Sequence, residues 1–215
     1  MKKRFLEEGI DSFAPHQAME LLLFYAVARQ DVNDLGHRLI KAFGGFSAAC
    51  DAPLPELLQI EGVGEHTAVL LKLIPELARY YATDKNRDVC LNSTKTAGEF
   101  MVSRFIGRND EHVYMVSLDS KCKVLATTLL HEGSVNAAEI NLRKLLATAL
   151  KYNASGVILA HNHPGGIALP SPEDISTTGR VAQSLHAVGI ALIDHIIVAD
   201  SDFVSLADSG SVPRW

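Results

Sequence analysis

A change in the spacing of apolar residues near residue 88 constrains the fold of this chain more than any other feature. Up to about residue 83 they recur every three or four positions. "PHQAMELLLFYAVA" carries Met19, Leu22, Leu23 and Ala26 at that spacing, and "DVNDLGHRLIKAF" follows with an Asp near its start and two glycines after Phe43. That is the pattern of amphipathic helices with their start and stop signals. "PLPELLQI" and "EHTAVLLKLIPELARYYA" complete a set of four or five short helices, the last expected to kink or restart at Pro75. "TDKNRD", from Thr83, is polar and reads as a linker.

Past the linker the runs turn β-rich. "HVYMVSLD" and "KVLATTLL", separated by "SKCK", predict a hairpin. "AAEINLRKLLATALKYNA" reads as an amphipathic helix with Ile140, Leu145, Leu146 and Leu150 on its buried side. "GVILAH" is a continuous apolar run, which suits a strand covered on both faces. A helix from about Pro172 to Val188 and the strands "ALIDHIIVA" and "FVSLA" complete the pattern. The expected architecture is a small all-helical domain over residues 1–83, a linker over 84–90, and a mixed α/β domain over 91–215.

Composition excludes several classes. Net charge is −5, and residues 1–88 carry 10 Lys and Arg against 13 Asp and Glu, so neither half is a basic nucleic-acid-binding module. Three scattered cysteines, Cys50, Cys90 and Cys122, argue against a disulfide framework and for a reducing compartment. The start "MKKRFLEEGI" lacks the apolar core of a secretory signal, and no run approaches a bilayer span. A cytoplasmic location with no membrane partner is the expectation.

Within the helical half, "QIEGVGEHTA" places Gly62 and Gly64 directly before a helix. Glycines there allow a tight turn whose backbone amides can face an anion. The stretch resembles the helix-hairpin-helix motif, which implies a phosphate-contacting turn and DNA as a partner. Glu65 and His66 stand where DNA-binding members carry Lys or Arg, so a turn that merely packs two helices is the competing reading.

The chemistry concentrates in "GVILAHNHPGGIALPSPED". Residues two apart on a strand share a face, so His161 and His163 aim together from the strand's end. Pro164, Gly165 and Gly166 then turn the chain out, and "SPED" supplies an N-cap, a proline at the first helical position and acids in the first turn. Asp174 therefore sits near a helix start, within reach of the histidines. A lone histidine near a strand end is ordinary. Two imidazoles and a carboxylate are three ligands that leave a fourth tetrahedral position for water, which is how catalytic zinc is held.

These residues match the H-x-H-x10-D signature of the JAMM (MPN/JAB) metalloprotease fold, with Ser171 at its serine position. The wider stretch, from "FLEEGIDSF" through "EHVYMVSLD" to "LIDHIIVADSDFVSLADSG", is similar to the RadC family, named for DNA repair, whose members join a helical hairpin domain to a JAMM domain. The resemblance implies Zn²⁺ on His161, His163 and Asp174, and a general base just before the first strand, where Glu111 stands. Glu132 is the competitor for that role, and Glu173 is better explained as a helix N-terminal charge. Ser171 is expected to hydrogen-bond a developing oxyanion.

Asp194 and His195 are either a core pair or support for a ligand. Lys144 follows Arg143 where the family has Glu, and Gly165 replaces its usual Ser. His112, His131 and His186 read as solvated. The function implied is a zinc-dependent peptidase or isopeptidase; a DNA-associated accessory protein and a metal-bound scaffold without turnover are the rivals.

Overall fold

The computed structural model describes residues 1–28, 31–85, 89–133 and 140–213. The chain divides into two compact units, Met1–Ala78 and Arg79–Trp215. In the first, helices α1 (Lys2–Glu8), α2 (Pro15–Leu23), α3 (Asn33–Phe43), α4 (Phe46–Asp51) and α5 (Leu54–Leu57) precede α6 (Glu65–Lys85), and the division falls inside α6. Its core takes Met19 and Leu23 from the stripe read in the sequence, with Leu22 only partly buried against it, and adds Leu35 and Leu39 of α3, Leu57, Ala68 and Leu71. Each fully buried Leu contributes about 1.5–3 kcal/mol. The exposed Lys3–Glu7 and Arg4–Glu8 pairs each add about 0–1 kcal/mol, so packing decides stability here. Lys72 Nζ also donates to the carbonyls of Asp51 and Ala52 at 2.9 and 3.1 Å, satisfying the end of α4.

α6 continues through Pro75 rather than restarting there, because the loss of one amide donor does not break a helix whose other turns are complete. The helix also runs through Thr83, Asp84 and Lys85, the start of the stretch read as a linker; a polar last turn is helical when solvent serves its side chains. Among the described residues no helix is long and apolar enough to cross a membrane.

The second unit is a three-layer α/β/α arrangement. Its five-stranded sheet has the order β2-β1-β3-β4-β5, where β1 is His112–Leu118, β2 Val124–Glu132, β3 Gly156–Asn162, β4 Ala191–Ala199 and β5 Asp202–Ser205. Among the described strands only β3 and β4 run parallel. The predicted β1–β2 hairpin closes on Asp119, whose carboxylate accepts the amides of Lys121 and Lys123 and is held below the usual carboxylate range by them. All seven residues of β3 are buried, as its uninterrupted apolar run requires. Alternation then sorts the sheet's side chains. Val113, Met115, Val157, Leu159 and Ile197 face α8 (Leu142–Lys151) and α9 (Pro172–His186). Val116, Leu118, Ile158, Ala160, Ile196 and Val198 face α7 (Thr94–Phe105).

The helix α7 went unread in the sequence. Its signals were present: Ser93 as an N-cap accepting the Thr96 amide at 3.2 Å, then Ala97, Phe100, Met101 and Phe105 at helical spacing. Gly98, which weakens a helical reading, is there because a Cβ would stand 2.1 Å from the Phe203 ring. Gly98→Ala is therefore expected to lower stability by about 1–3 kcal/mol, measured by urea denaturation, although alanine is the better helix former. In α8, Leu145 and Ala149 are buried, but Leu150 is exposed, one position past the stripe. The predicted beginning of that helix, before Ile140, lies outside the described residues.

Candidate metal centre

His161 is the penultimate residue of β3, and His163 follows the strand directly. The shared parity predicted from the sequence brings their Nε2 atoms to 2.9 Å from each other. The chain leaves the sheet at Pro164, and Gly165 takes φ +65°, a left-handed conformation that suits glycine. It returns at Ser171, the N-cap of α9. The capping box then fixes Asp174: the Ser171 amide and hydroxyl donate to its Oδ2 at 2.8 and 2.7 Å, and its own amide donates to Ser171 Oγ at 3.1 Å.

Asp174 Oδ1 is left facing His161 Nε2 at 3.2 Å, and Oδ2 lies 3.6 Å from His163 Nε2. One ligand atom from each of the three residues can be chosen so that all lie within 4.8 Å of one another. A tetrahedral zinc with nitrogen and oxygen ligands at about 2.0–2.1 Å separates them by about 3.3 Å. The two imidazoles and the carboxylate therefore fit such an ion. Burial alone would raise the Asp174 pKa, but the adjacent His161 imidazole and the hydrogen bonds from Ser171 outweigh it and hold the carboxyl well below the usual range.

The tautomer of His163 can be read from its contacts. His163 Nδ1 lies 3.2 Å from the carbonyl of Ile167. A carbonyl only accepts, so Nδ1 carries a proton, and the neutral ring then offers its Nε2 lone pair toward the site.

The two residues read together from "DHIIV" part company. In the β3–β4 register Val157 pairs with Leu192 and Ile158 with Asp194, which leaves Ile193 as an extra residue, a bulge. Beyond it the faces are shifted. His195 points at the site, its Nε2 2.8 Å from His161 Nδ1 and its Nδ1 2.6 Å from Thr178 Oγ1. Burial, with His161 beside it, pushes its pKa well below the ordinary value. Asp194 points away and accepts from Ser205 Oγ at 2.7 Å and the Ala207 amide at 3.0 Å; burial raises its pKa against those bonds. So His195 adjoins the site, and Asp194 is a structural carboxylate.

Glu111 immediately precedes β1. The β1–β3 register ends with Val113 opposite His161, so Glu111 lies two residues along the chain from the strand partner of a site histidine. Glu132 is placed differently. It pairs with His112, whose neighbours alternate to the α7 face, and its carboxylate lies 3.2 Å from His112 Nε2 without hydrogen-bond alignment. His112 itself is a correction: it is 2% exposed rather than solvated, with Nδ1 2.8 Å from the Asp110 carbonyl. Glu173 is exposed on the first turn of α9. Lys144 donates from Nζ to the Leu130 carbonyl at 2.6 Å near the end of β2, a structural role.

Asn162 was overlooked. Lying between the two histidines it must face the other way, and there it joins the strand end to the segment before β1. Its Oδ1 accepts the His112 amide at 2.7 Å, and its Nδ2 donates to the Arg108 and Asp110 carbonyls at 3.2 and 3.0 Å. The backbone on both sides of Glu111 is thereby tied to the strand that carries the histidines. The strand alternation that paired the histidines also identified Asn162 as the residue facing away; what it contacts was not legible.

At the other end of the chain, Gly62 and Gly64 form the expected turn before α6, and Glu65 and His66 are exposed. Arg38 comes from α3 to donate Nη2 to the Glu61 carbonyl at 3.1 Å. That bond gives the turn a packing role.

A three-layer α/β domain with two histidines and an aspartate gathered at the end of its central strand is a JAB-type domain with a candidate metal site. The family model described as the RadC-like JAB domain matches residues 91–211. The chain is also 32% identical over 212 residues to a UPF0758 protein of Geobacillus sp. (strain WCH70), covering 98% of this chain and 94% of that protein. A UPF0758 protein of Azotobacter vinelandii is 32% identical over 210 residues, 97% and 94% of the two chains. This chain belongs to the RadC-like JAB family, and its similarity to these relatives extends through the helical region.

Proposed function

We propose that the α/β domain is a zinc-dependent hydrolase of amide bonds, a metallopeptidase or isopeptidase. The observation that carries this reading is the convergence of His161, His163 and Asp174, whose ligand atoms lie within 4.8 Å of one another at the end of β3; Glu111, just before the neighbouring strand β1, is the proposed base. His161 and His163 would hold the ion through Nε2 and Asp174 through Oδ1. Zinc bound there would acidify a water and polarise a substrate carbonyl. Glu111 would take the proton of the attacking water and return it to the departing amine.

Ser171 has a more modest part than an oxyanion donor. Its hydroxyl donates to Asp174 Oδ2, so serving an oxyanion would require giving up that bond, and its proposed role is to aim Oδ1 at the ion. The reading needs no nucleic acid: the exposed Glu65 at the glycine turn disfavours phosphate, and DNA remains the weaker partner proposal.

The test is a metal analysis of the purified full chain, followed by mass-spectrometric screening of linear and lysine-branched peptides for cleavage. Stoichiometric zinc is expected, with cleavage that stops on chelation and returns on zinc addition. A chain that binds no metal, or cleavage indifferent to chelator, overturns the reading.

A further inference from the structure

We propose that Thr178 and His195 act together as positioning residues that fix the tautomer of His161, so that its Nε2 is bare and directed at the metal position. The consequence for metal rests on the reading above; the geometry does not. The chain of contacts starts from an atom that cannot donate. The Asp174 backbone carbonyl accepts the Thr178 hydroxyl at 2.6 Å, and threonine has only that one hydroxyl proton. The same oxygen lies 2.6 Å from His195 Nδ1, so the proton between them belongs to the ring.

His195 is 1% exposed, and its two nitrogens contact a hydroxyl and an imidazole rather than a carboxylate. In its neutral form with the proton on Nδ1, its Nε2 offers a lone pair. His161 Nδ1, 2.8 Å away, supplies the proton of that contact, so the neutral His161 ring is set to offer its Nε2 lone pair to an ion held between it, His163 and Asp174.

The two histidine ligands thus reach the same tautomer by different means. His163 is set by the Ile167 carbonyl, which can only accept. His161 is set by another imidazole, which could donate or accept from Nε2, so a third group has to choose. Thr178 makes the choice, and it stands one helical turn after Asp174. The helix that delivers the carboxylate ligand therefore also sets the proton on a histidine ligand of a neighbouring strand. The bulge at Ile193 is what turns His195 toward this position.

Long-range ¹H–¹⁵N correlation spectra of the full chain report which nitrogen of each histidine carries the proton. For the wild type the expected result is His195 protonated on Nδ1 and bare on Nε2. Thr178→Val keeps the volume and removes the acceptor. Its His195 proton is expected to move to Nε2, returning the His161 proton to its own Nε2, with zinc affinity falling about 10–100-fold. Thr178→Ser restores both. A wild-type His195 protonated on Nε2 overturns the proposal, as does Thr178→Val with wild-type spectra and wild-type affinity. Should the wild type bind no zinc, the hydrolase reading fails, and the His195 tautomer alone decides this proposal.

Discussion

His163→Ala is expected to lose zinc by at least 100-fold in affinity, about 2.7 kcal/mol, while folding normally. His163 is the ligand with least structural duty. Its side chain is 23% exposed, against 10% for His161 and 4% for Asp174, and it belongs to none of the apolar clusters. Its Nδ1 bond to Ile167 orients the ring and holds no other element in place.

Truncating His161 would open a buried space and strand His195, and truncating Asp174 would remove the capping box of α9. Either change confounds metal loss with damage to the fold. Zinc titration against a competing chelator measures the effect, and thermal unfolding supplies the control. Zinc at 100 times its dissociation constant adds about 2.7 kcal/mol to a protein that binds it only when folded. The wild-type melting temperature should therefore rise with zinc, and that of His163→Ala should stay at the metal-free value. An unchanged affinity in this variant would remove His163 from the ligand set.

What the sequence disclosed about this site follows from period-two alternation. His161 and His163 share a face because they are two apart, and Asn162 faces away for the same reason. The "SPED" motif located Asp174 because capping is a local interaction, complete within four residues. His195 and Asp194 were legible as candidates but not separable, since a bulge shifts parity without leaving a mark in the apolar pattern. Thr178 could have been found: it lies four residues beyond Asp174 on a predicted helix, hence on the same side. What one sequence withheld was the partner across the layer.

The same distinction holds for the fold. The strands and the helices α2, α3, α8 and α9 follow apolar periodicity, whereas α7 was missed because its glycine serves a contact with Phe203 more than a hundred residues away. The continuous course of α6 through Pro75 is likewise a matter of the whole helix, which a rule about single residues does not capture.

Glu111→Gln should leave zinc affinity near the wild-type value and reduce turnover of the cleaved peptide by about 10²–10⁴-fold, roughly 3–5 kcal/mol of barrier. Glutamine has the shape of glutamate and cannot take a proton from water, so a loss confined to kcat isolates the base from the ligands. The matched control is Glu132→Gln. Both carboxylates lie close to the start of β1, and sequence distance does not separate them. Register does for Glu132, which pairs with His112 on the face away from Val113 and His161. Turnover in Glu132→Gln should therefore match the wild type. Asn162 holds the backbone on both sides of Glu111 to the strand of the histidines, which fixes the base relative to the ligands. If the two variants exchange phenotypes, the proton goes to Glu132, and the face of the sheet that carries the chemistry has been misassigned.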